Sequence, residues 1–285
     1  MPGDEWPYQS ARVALVTMHA KERAIARPLR QRLAIELNTL SGIDTDLFGT
    51  FTGETPRAGS MADAARAKAL AGIAATGLPF GIGSEGSFGA DPAMPLMPLA
   101  TELLTFVDRH RGLEIRESLR TRQTNFMSVA CEPADDLADF LAAARFPRHA
   151  LVVAPNEPRI RPCFQKGVVD PGVLKSAVAD ACSRSRDGKA RVMTDMRAHL
   201  NPTRMAIIRR LSRRLARRLA TACPICRSPG LGERDIERGR PCASCGTPTE
   251  LPVAHLERCV SCAFVRRVPA AEPVADPGQC TFCKP

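Results

Sequence analysis

No stretch of this chain is apolar for long enough to cross a membrane. The longest run without a charge, Ala69 to Ser84, is broken by Gly72, Gly77, Pro79, Gly81 and Gly83, whereas a spanning helix needs roughly 20 apolar residues. A secretory leader is not expected either. Met1-Pro2-Gly3-Asp4-Glu5-Trp6 carries an acidic pair where a secretory signal would be positive. A cytoplasmic location with no membrane partner is therefore expected. Thiols stay reduced there, so the eleven cysteines are not read as disulfides. No internal repeat is present outside those cysteines.

Positive charge is in excess. The chain has 285 residues, with 40 Lys and Arg against 30 Asp and Glu, a net charge of +10. The isoelectric point near 9.4 leaves polyanions open as partners: nucleotides, nucleic acid or an anionic surface. An apolar share of 44% is ordinary for a globular protein and allows a real core. The length suits one large domain or two unequal ones.

Eight cysteines lie after residue 222 as four C-x-x-C pairs: Cys223/Cys226, Cys242/Cys245, Cys259/Cys262 and Cys280/Cys283. Each such turn aims two thiolates at one tetrahedral metal ion. Gaps of fifteen and seventeen residues separate the first two and the last two pairs, which fits zinc ribbons. The simplest pairing is one with two and three with four. The middle gap of thirteen also permits an interleaved arrangement. Redox dithiols usually occur singly in a βαβ setting, which the tail lacks. Four sulfurs per ion leave no open coordination position, so two structural zinc ions are expected. Cys131, Cys163 and Cys182 are scattered and read as small buried hydrophobes.

Before the cysteines, Thr203 to Ala220 reads as a helix. Ile208, Leu211, Leu215 and Leu219 form one face, and arginines between Arg209 and Arg218 fill the other sides. Such a helix could bind nucleic acid or simply be solvated. No aromatic residue interleaves with its arginines, so the run itself offers nothing for base stacking.

Residues 11 to 200 alternate strand and helix patterns. Strands are expected at Arg12–Thr17, Leu78–Gly83, Leu103–Val107, His149–Val153 and Arg191–Thr194. Helices are expected at Glu22–Leu37, Ala62–Ala75, Asp135–Ala144 and Val173–Ala181. The fold class is α/β, with a mixed sheet and flanking helices, followed by a basic helix and two small zinc ribbons. In chain order these are a tail (1–10), an α/β domain (11–202), the arginine-rich helix (203–220) and the double-ribbon tail (221–285).

Polar residues gather at four places. Thr17-Met18-His19-Ala20-Lys21-Glu22 follows the first strand, where a Lys and free backbone N–H groups suit an anion. The loop from Asp44 to Glu54 brings carboxylates together, as Mg²⁺ would require. Ser84-Glu85-Gly86-Ser87-Phe88-Gly89 follows a glycine-rich strand and reads as a loop open to a ligand or metal. The fourth, Thr194 to Arg204, packs Asp195, Arg197, His199, Asn201 and Arg204 into eleven residues. An extended loop there would aim Arg197 and His199 the same way. Each cluster also has a structural reading: a helix start, turn carboxylates, or an Asp195 that pairs with a nearby arginine and caps a helix.

With these motifs (T-M-H-A-K-E, D-T-D-L-F-G-T-F-T-G-E, S-E-G-S-F-G, T-D-M-R-A-H-L-N-P-T-R-M and four C-x-x-C pairs), the chain resembles an uncharacterised bacterial family of unknown function. The resemblance spans nearly all of residues 12 to 285 and implies no activity. Residues 12 to 118 are more faintly similar to the nucleoside triphosphate pyrophosphatases that act on inosine and xanthosine triphosphates. That likeness implies Lys21 on phosphate, Glu85 on Mg²⁺, and Arg66 or Lys68 on the phosphate chain. The first-loop Asn of those enzymes is missing around His19, the Ser-His-Arg segment has only a loose counterpart in Arg197-Ala198-His199, and the cysteine tail has none.

Two functions from different classes follow. One is hydrolysis of a nucleotide or phosphate ester with Mg²⁺ or Mn²⁺. Glu54, Glu85, Asp195 and His199 would be its catalytic groups, and His19, Lys21, Arg66, Lys68, Arg197, Asn201 and Arg204 would hold the ligand. The other is a non-enzymatic adaptor that binds nucleic acid or protein through the ribbons and helix, with an α/β domain that binds a small ligand.

Overall fold

The computed structural model describes residues 6–42, 59–159 and 163–284. The first sheet holds β1 (Arg12–Val16), β2 (Glu36–Leu40), β3 (Phe80–Asp91), β4 (Met94–Asp108) and β5 (Leu113–Thr121) in the order β2-β1-β3-β4-β5. β1 runs parallel to β2 and β3, whereas β4 and β5 add antiparallel hairpins, so the sheet is mixed. The helices α1 (Glu22–Leu33) and α2 (Met61–Thr76) lie between the parallel strands in sequence.

Alternation along β1 sorts the two faces. Val13 and Leu15 enter the main core with Ile25 and Leu29 of α1. The other face of β1 meets α2, where Gly72 lies against Ala14 and Val16. Glycines on β3 set how closely α2 can approach. A Cβ at Gly83 would overlap the carbonyl oxygen of Ala65, and one at Gly81 that of Ala69. These glycines therefore admit a helix backbone, not a ligand.

A second sheet is antiparallel throughout, in the order β6-β9-β7-β8. It comprises β6 (Ser128–Cys131), β7 (Leu151–Pro155), β8 (Gln165–Val168) and β9 (Ala190–Thr194), with α3 (Ala138–Ala144) and α4 (Pro171–Ser183). Its core includes Leu151, Val153, Leu174, Val178 and Val192, together with Cys131 and Cys182. Those two cysteines are buried as expected, but Cys163 is exposed.

The arginine-rich helix, α5 (Pro202–Leu219), completes the first core. Ile207, Ile208, Leu211, Leu215 and Leu219 are buried against the same residues as α1. The tail forms a third sheet of β10 (Gly232–Arg238), β11 (Pro252–Arg258) and β12 (Val265–Pro269), antiparallel in chain order. Arg218 fastens the tail to the body. Its guanidinium donates to the Gly230 carbonyl at 2.9 Å, the Arg116 carbonyl at 2.6 Å and Glu117 at 3.0 Å.

Of the differences from the expected element boundaries, two bear on the site. The first helix stops at Leu33 because Ala34 turns left-handed, with φ 52°, and Leu37 belongs to β2. The Ser84–Gly89 segment is not a loop. It continues β3 in register with β4, from Ser84 opposite Leu104 to Gly89 opposite Leu99.

Gly83→Ala should cost about 3 kcal/mol or more, because the obstructing atom is backbone and cannot swing aside. Gly89→Ala meets nothing within 4 Å and should be close to neutral. Chemical denaturation of the two variants checks this; equal effects would contradict the packing of α2.

Candidate functional site

The eight paired cysteines form two four-sulfur clusters, and the pairing is interleaved. Cys223 and Cys226 join Cys259 and Cys262, while Cys242 and Cys245 join Cys280 and Cys283. This corrects the simpler expectation of consecutive pairs. The cause is the sheet between the knuckles. β10 spans seven residues, about 23 Å, so the first and second pairs lie at opposite ends of it. β11 carries the chain back and β12 carries it forward again. The two ribbons thus share one sheet.

Sulfur separations are 3.7 Å for Cys223–Cys262, 3.5 Å for Cys226–Cys259, 3.8 Å for Cys242–Cys283 and 3.7 Å for Cys245–Cys280. A tetrahedron with Zn–S bonds of about 2.3 Å has sulfur edges of about 3.8 Å, so the donor set fits that ion. Backbone N–H groups of Ser244 and Ser261 donate to the sulfurs of Cys242 and Cys259. Left-handed residues after the first two knuckles, Arg227 at φ 61° and Gly246 at φ 74°, close those turns.

A second constellation lies where β1 ends and β3 runs on. Thr17 Oγ1 accepts from the backbone N–H groups of His19 and Lys21, at 3.3 and 3.4 Å, which folds this turn back on itself. Lys21 is thereby buried at the start of α1, and its Nζ donates to the Ser84 carbonyl at 3.2 Å. Ser84 Oγ beside it is buried without a hydrogen-bond partner among the described residues.

Among the described residues, three carboxylates stand nearby, each matched to a cation. Glu85 pairs with Lys68 of α2. Glu102 of β4 pairs with Arg204 of α5 at 2.6 Å. Asp195 binds Arg197 at 2.7 Å and accepts from the Gly167 N–H at 3.1 Å. Lys21 is the cation beyond these pairs, with no carboxylate within 4 Å among the described residues. Burial, then the positive charge of Arg204, pulls its amine down to about 7, against the opposing pull of Glu102. The His19 and His199 rings stack with centroids 5.4 Å apart. Burial and the Lys21 charge hold His19 down to about 4, and burial and the Arg197 charge lower His199. Both imidazoles are thus neutral at pH 7.

The structure brings together His19, Lys21, Lys68, Glu85, Arg204 and His199, with Asp195 and Arg197 beside them. Three candidates stand elsewhere or have another task. Arg66 points away, paired with Glu114 of β5. Asn201 is buried as the cap of α5: its Oδ1 accepts from the Arg204 N–H at 3.0 Å, and its Nδ2 donates to Asn125 at 3.0 Å and to the Asp195 carbonyl at 3.1 Å. Glu54 and the Asp44–Glu54 loop lie outside the described residues. The Asp195 segment is not extended either. Ala198–Leu200 form a 3₁₀ turn, so Arg197 folds back on Asp195 while His199 meets His19.

Sequence reasoning missed Glu102, a carboxylate beside the apolar run Leu103–Val107 that turns out wholly buried. A charge abutting a buried strand was the available signal. It also misread Gly86, where a Cβ would collide with the Arg204 guanidinium and crowd Glu102.

A family model described as a domain of unknown function (DUF6671) matches residues 68–285. The chain belongs to this family. No curated protein and no solved structure matches the chain, so the likeness to the triphosphate pyrophosphatases gains no support from them. Among the described residues, no helix is long and apolar enough to cross a membrane.

The interleaved pairing predicts how metal content responds to deletions. Replacing Cys223, Cys226, Cys259 and Cys262 by Ser should leave one metal ion per chain. Replacing Cys223, Cys226, Cys242 and Cys245 should leave none. Elemental analysis of protein prepared without chelator checks this, and the reverse pattern would restore consecutive pairing.

Proposed function

We propose that the α/β body binds a phosphate-bearing ligand, a nucleotide or phosphate ester, against Lys21, and that both four-cysteine sites hold structural zinc. One observation carries the ligand reading. Lys68, Arg197 and Arg204 each have a carboxylate, whereas Lys21 is buried with only the Ser84 carbonyl as its hydrogen-bond partner among the described residues. A buried amine in that state gains most from an incoming anion. The position also suits a ligand, because α/β sheets receive ligands beyond the carboxyl ends of their parallel strands. Four thiolates per ion favour zinc in a structural role and a compartment that keeps thiols reduced, the cytoplasm.

The reaction that fits such a ligand is attack of water on a phosphoanhydride, assisted by Mg²⁺ or Mn²⁺ on Glu85 and Glu54. Glu85 is engaged with Lys68, so this chemistry requires that pair to open. His199, neutral beside the cluster, is the candidate base for the water.

A panel of nucleoside mono-, di- and triphosphates and pyrophosphate, with and without Mg²⁺ or Mn²⁺, tests both levels. Calorimetry reads binding, and released phosphate or pyrophosphate reads turnover. Lys21→Met should weaken ligand binding at least tenfold at pH 6.5. The wild-type advantage should shrink toward pH 9, because the amine is charged below about 7 and neutral above it. Binding that ignores Lys21→Met at both pH values would sink the ligand site. Binding without turnover under any metal would remove the hydrolase and leave a binding module.

A further inference from the structure

We propose that a single strand of nucleic acid lies in a basic trough along α5, on the side of the helix away from the Lys21 cluster. Two cavities meet there. One, of about 750 Å³, is lined by Arg145, Arg148, Arg210 and Arg213 together with Phe126 and Ile207. The other, of about 760 Å³, is lined by Arg32 of α1 and by Arg210, Arg213 and Arg217 of α5. They share Arg210 and Arg213, so one continuous groove passes over both.

Its charge is unopposed. Arg32, Arg145, Arg148, Arg210, Arg213 and Arg217 have no carboxylate within 4 Å among the described residues. Arg210 donates only to Gln123 and Arg145 only to Thr203, both at 3.4 Å. Glu233, at the far end, is the one carboxylate in the lining. Arg214 also lines the second cavity but pairs with Glu117, and Arg218, outside both cavities, pairs with the same carboxylate.

The shape selects the occupant. Thr203, Arg210, Arg213 and Arg217 follow one stripe of α5, and from Thr203 to Arg217 the helix rises about 21 Å. That matches about six nucleotides of a stacked strand. A duplex reader needs a projecting helix that can enter a groove, whereas this stripe lines cavities that it shares with Arg145 and Arg148 at one end and with Arg32 at the other. The first cavity also has an apolar floor of Pro98, Phe126, Met127 and Ile207. Phe126, half-buried with Phe88 beside it at 6.1 Å between centroids, supplies the flat ring that the arginine run lacks. An acidic peptide would use the arginines but would gain little from that ring.

Fluorescence anisotropy with labelled single-stranded 12-mers of RNA and DNA tests this on the full zinc-loaded chain. Affinity should fall steeply with salt. The double variant Arg210→Ala/Arg213→Ala should weaken binding at least tenfold and lower the magnitude of the salt slope by about one to two. Phe126→Leu should weaken binding severalfold and leave the salt slope unchanged, a response that general charge attraction cannot give. Arg186→Ala, an exposed arginine outside the groove, should match wild type. All four are compared at equal zinc content and helical signal. Three results would overturn the proposal: no binding at low salt, loss with Arg186→Ala equal to loss with the double variant, or competition by polyglutamate as strong as by unlabelled strand.

Discussion

A buried ion pair between Arg204 and Glu102 ties the parts of this protein together. Both side chains are almost fully removed from water, so each needs the other; breaking such a pair from one side typically costs about 3–5 kcal/mol. Arg204 also donates to the Met196 carbonyl and lies over the Phe88 ring, 4.9 Å from its centroid. One guanidinium thus reaches β4, β3 and the turn after β9. The small residue at Gly86 and the Asn201 cap are both conditions of that geometry. The first leaves room for the guanidinium, and the second fixes the turn of α5 that carries it.

Through this pair the electrostatics of the cluster are set. Glu102 is consumed by Arg204, Glu85 by Lys68 and Asp195 by Arg197, and Lys21 is left in the field of the remaining charges. Arg204 is the largest charge acting to lower the Lys21 amine, and it contributes to lowering His19. The same helix turn that builds the core therefore tunes the candidate anion site. Arg204 shares the buried face of α5 with Ile208, Leu211 and Leu215, whereas Arg210, Arg213 and Arg217 are exposed.

Much of this was legible in the sequence where spacing dictates chemistry. Four C-x-x-C pairs in one tail pointed to two four-sulfur metal sites, and Ile208, Leu211, Leu215 and Leu219 marked the buried face of α5 correctly. What escaped reading was non-local. The ligand pairing depends on strand direction, and β10 to β12 are polar strands with weak alternation. Glycines 81, 83 and 86 look the same in sequence whether they admit a phosphate, a helix backbone or a guanidinium; only the partner across the sheet decides. Within the polar segment Thr194 to Arg204, Asn201 caps a helix and Asp195 orients Arg197, roles that depend on the folded partners. His19 and His199 are 180 residues apart and meet only after folding. Phe126 likewise comes to line a cavity with Arg210 and Arg213 only by way of the fold.

Among the described residues, Lys21 is a buried amine that no carboxylate pairs with. A ¹³Cε NMR titration of Lys21 in the full chain measures this, with the signal assigned by its loss in Lys21→Met. The midpoint should lie near 7 in the free protein. Saturating pyrophosphate should move it upward, because a bound anion favours the charged form. Between about 7 and 10.5 the unfolded chain holds a proton that the folded chain has shed, so stability should rise with pH across the same window. A midpoint near the ordinary lysine value, unmoved by pyrophosphate, would contradict the account.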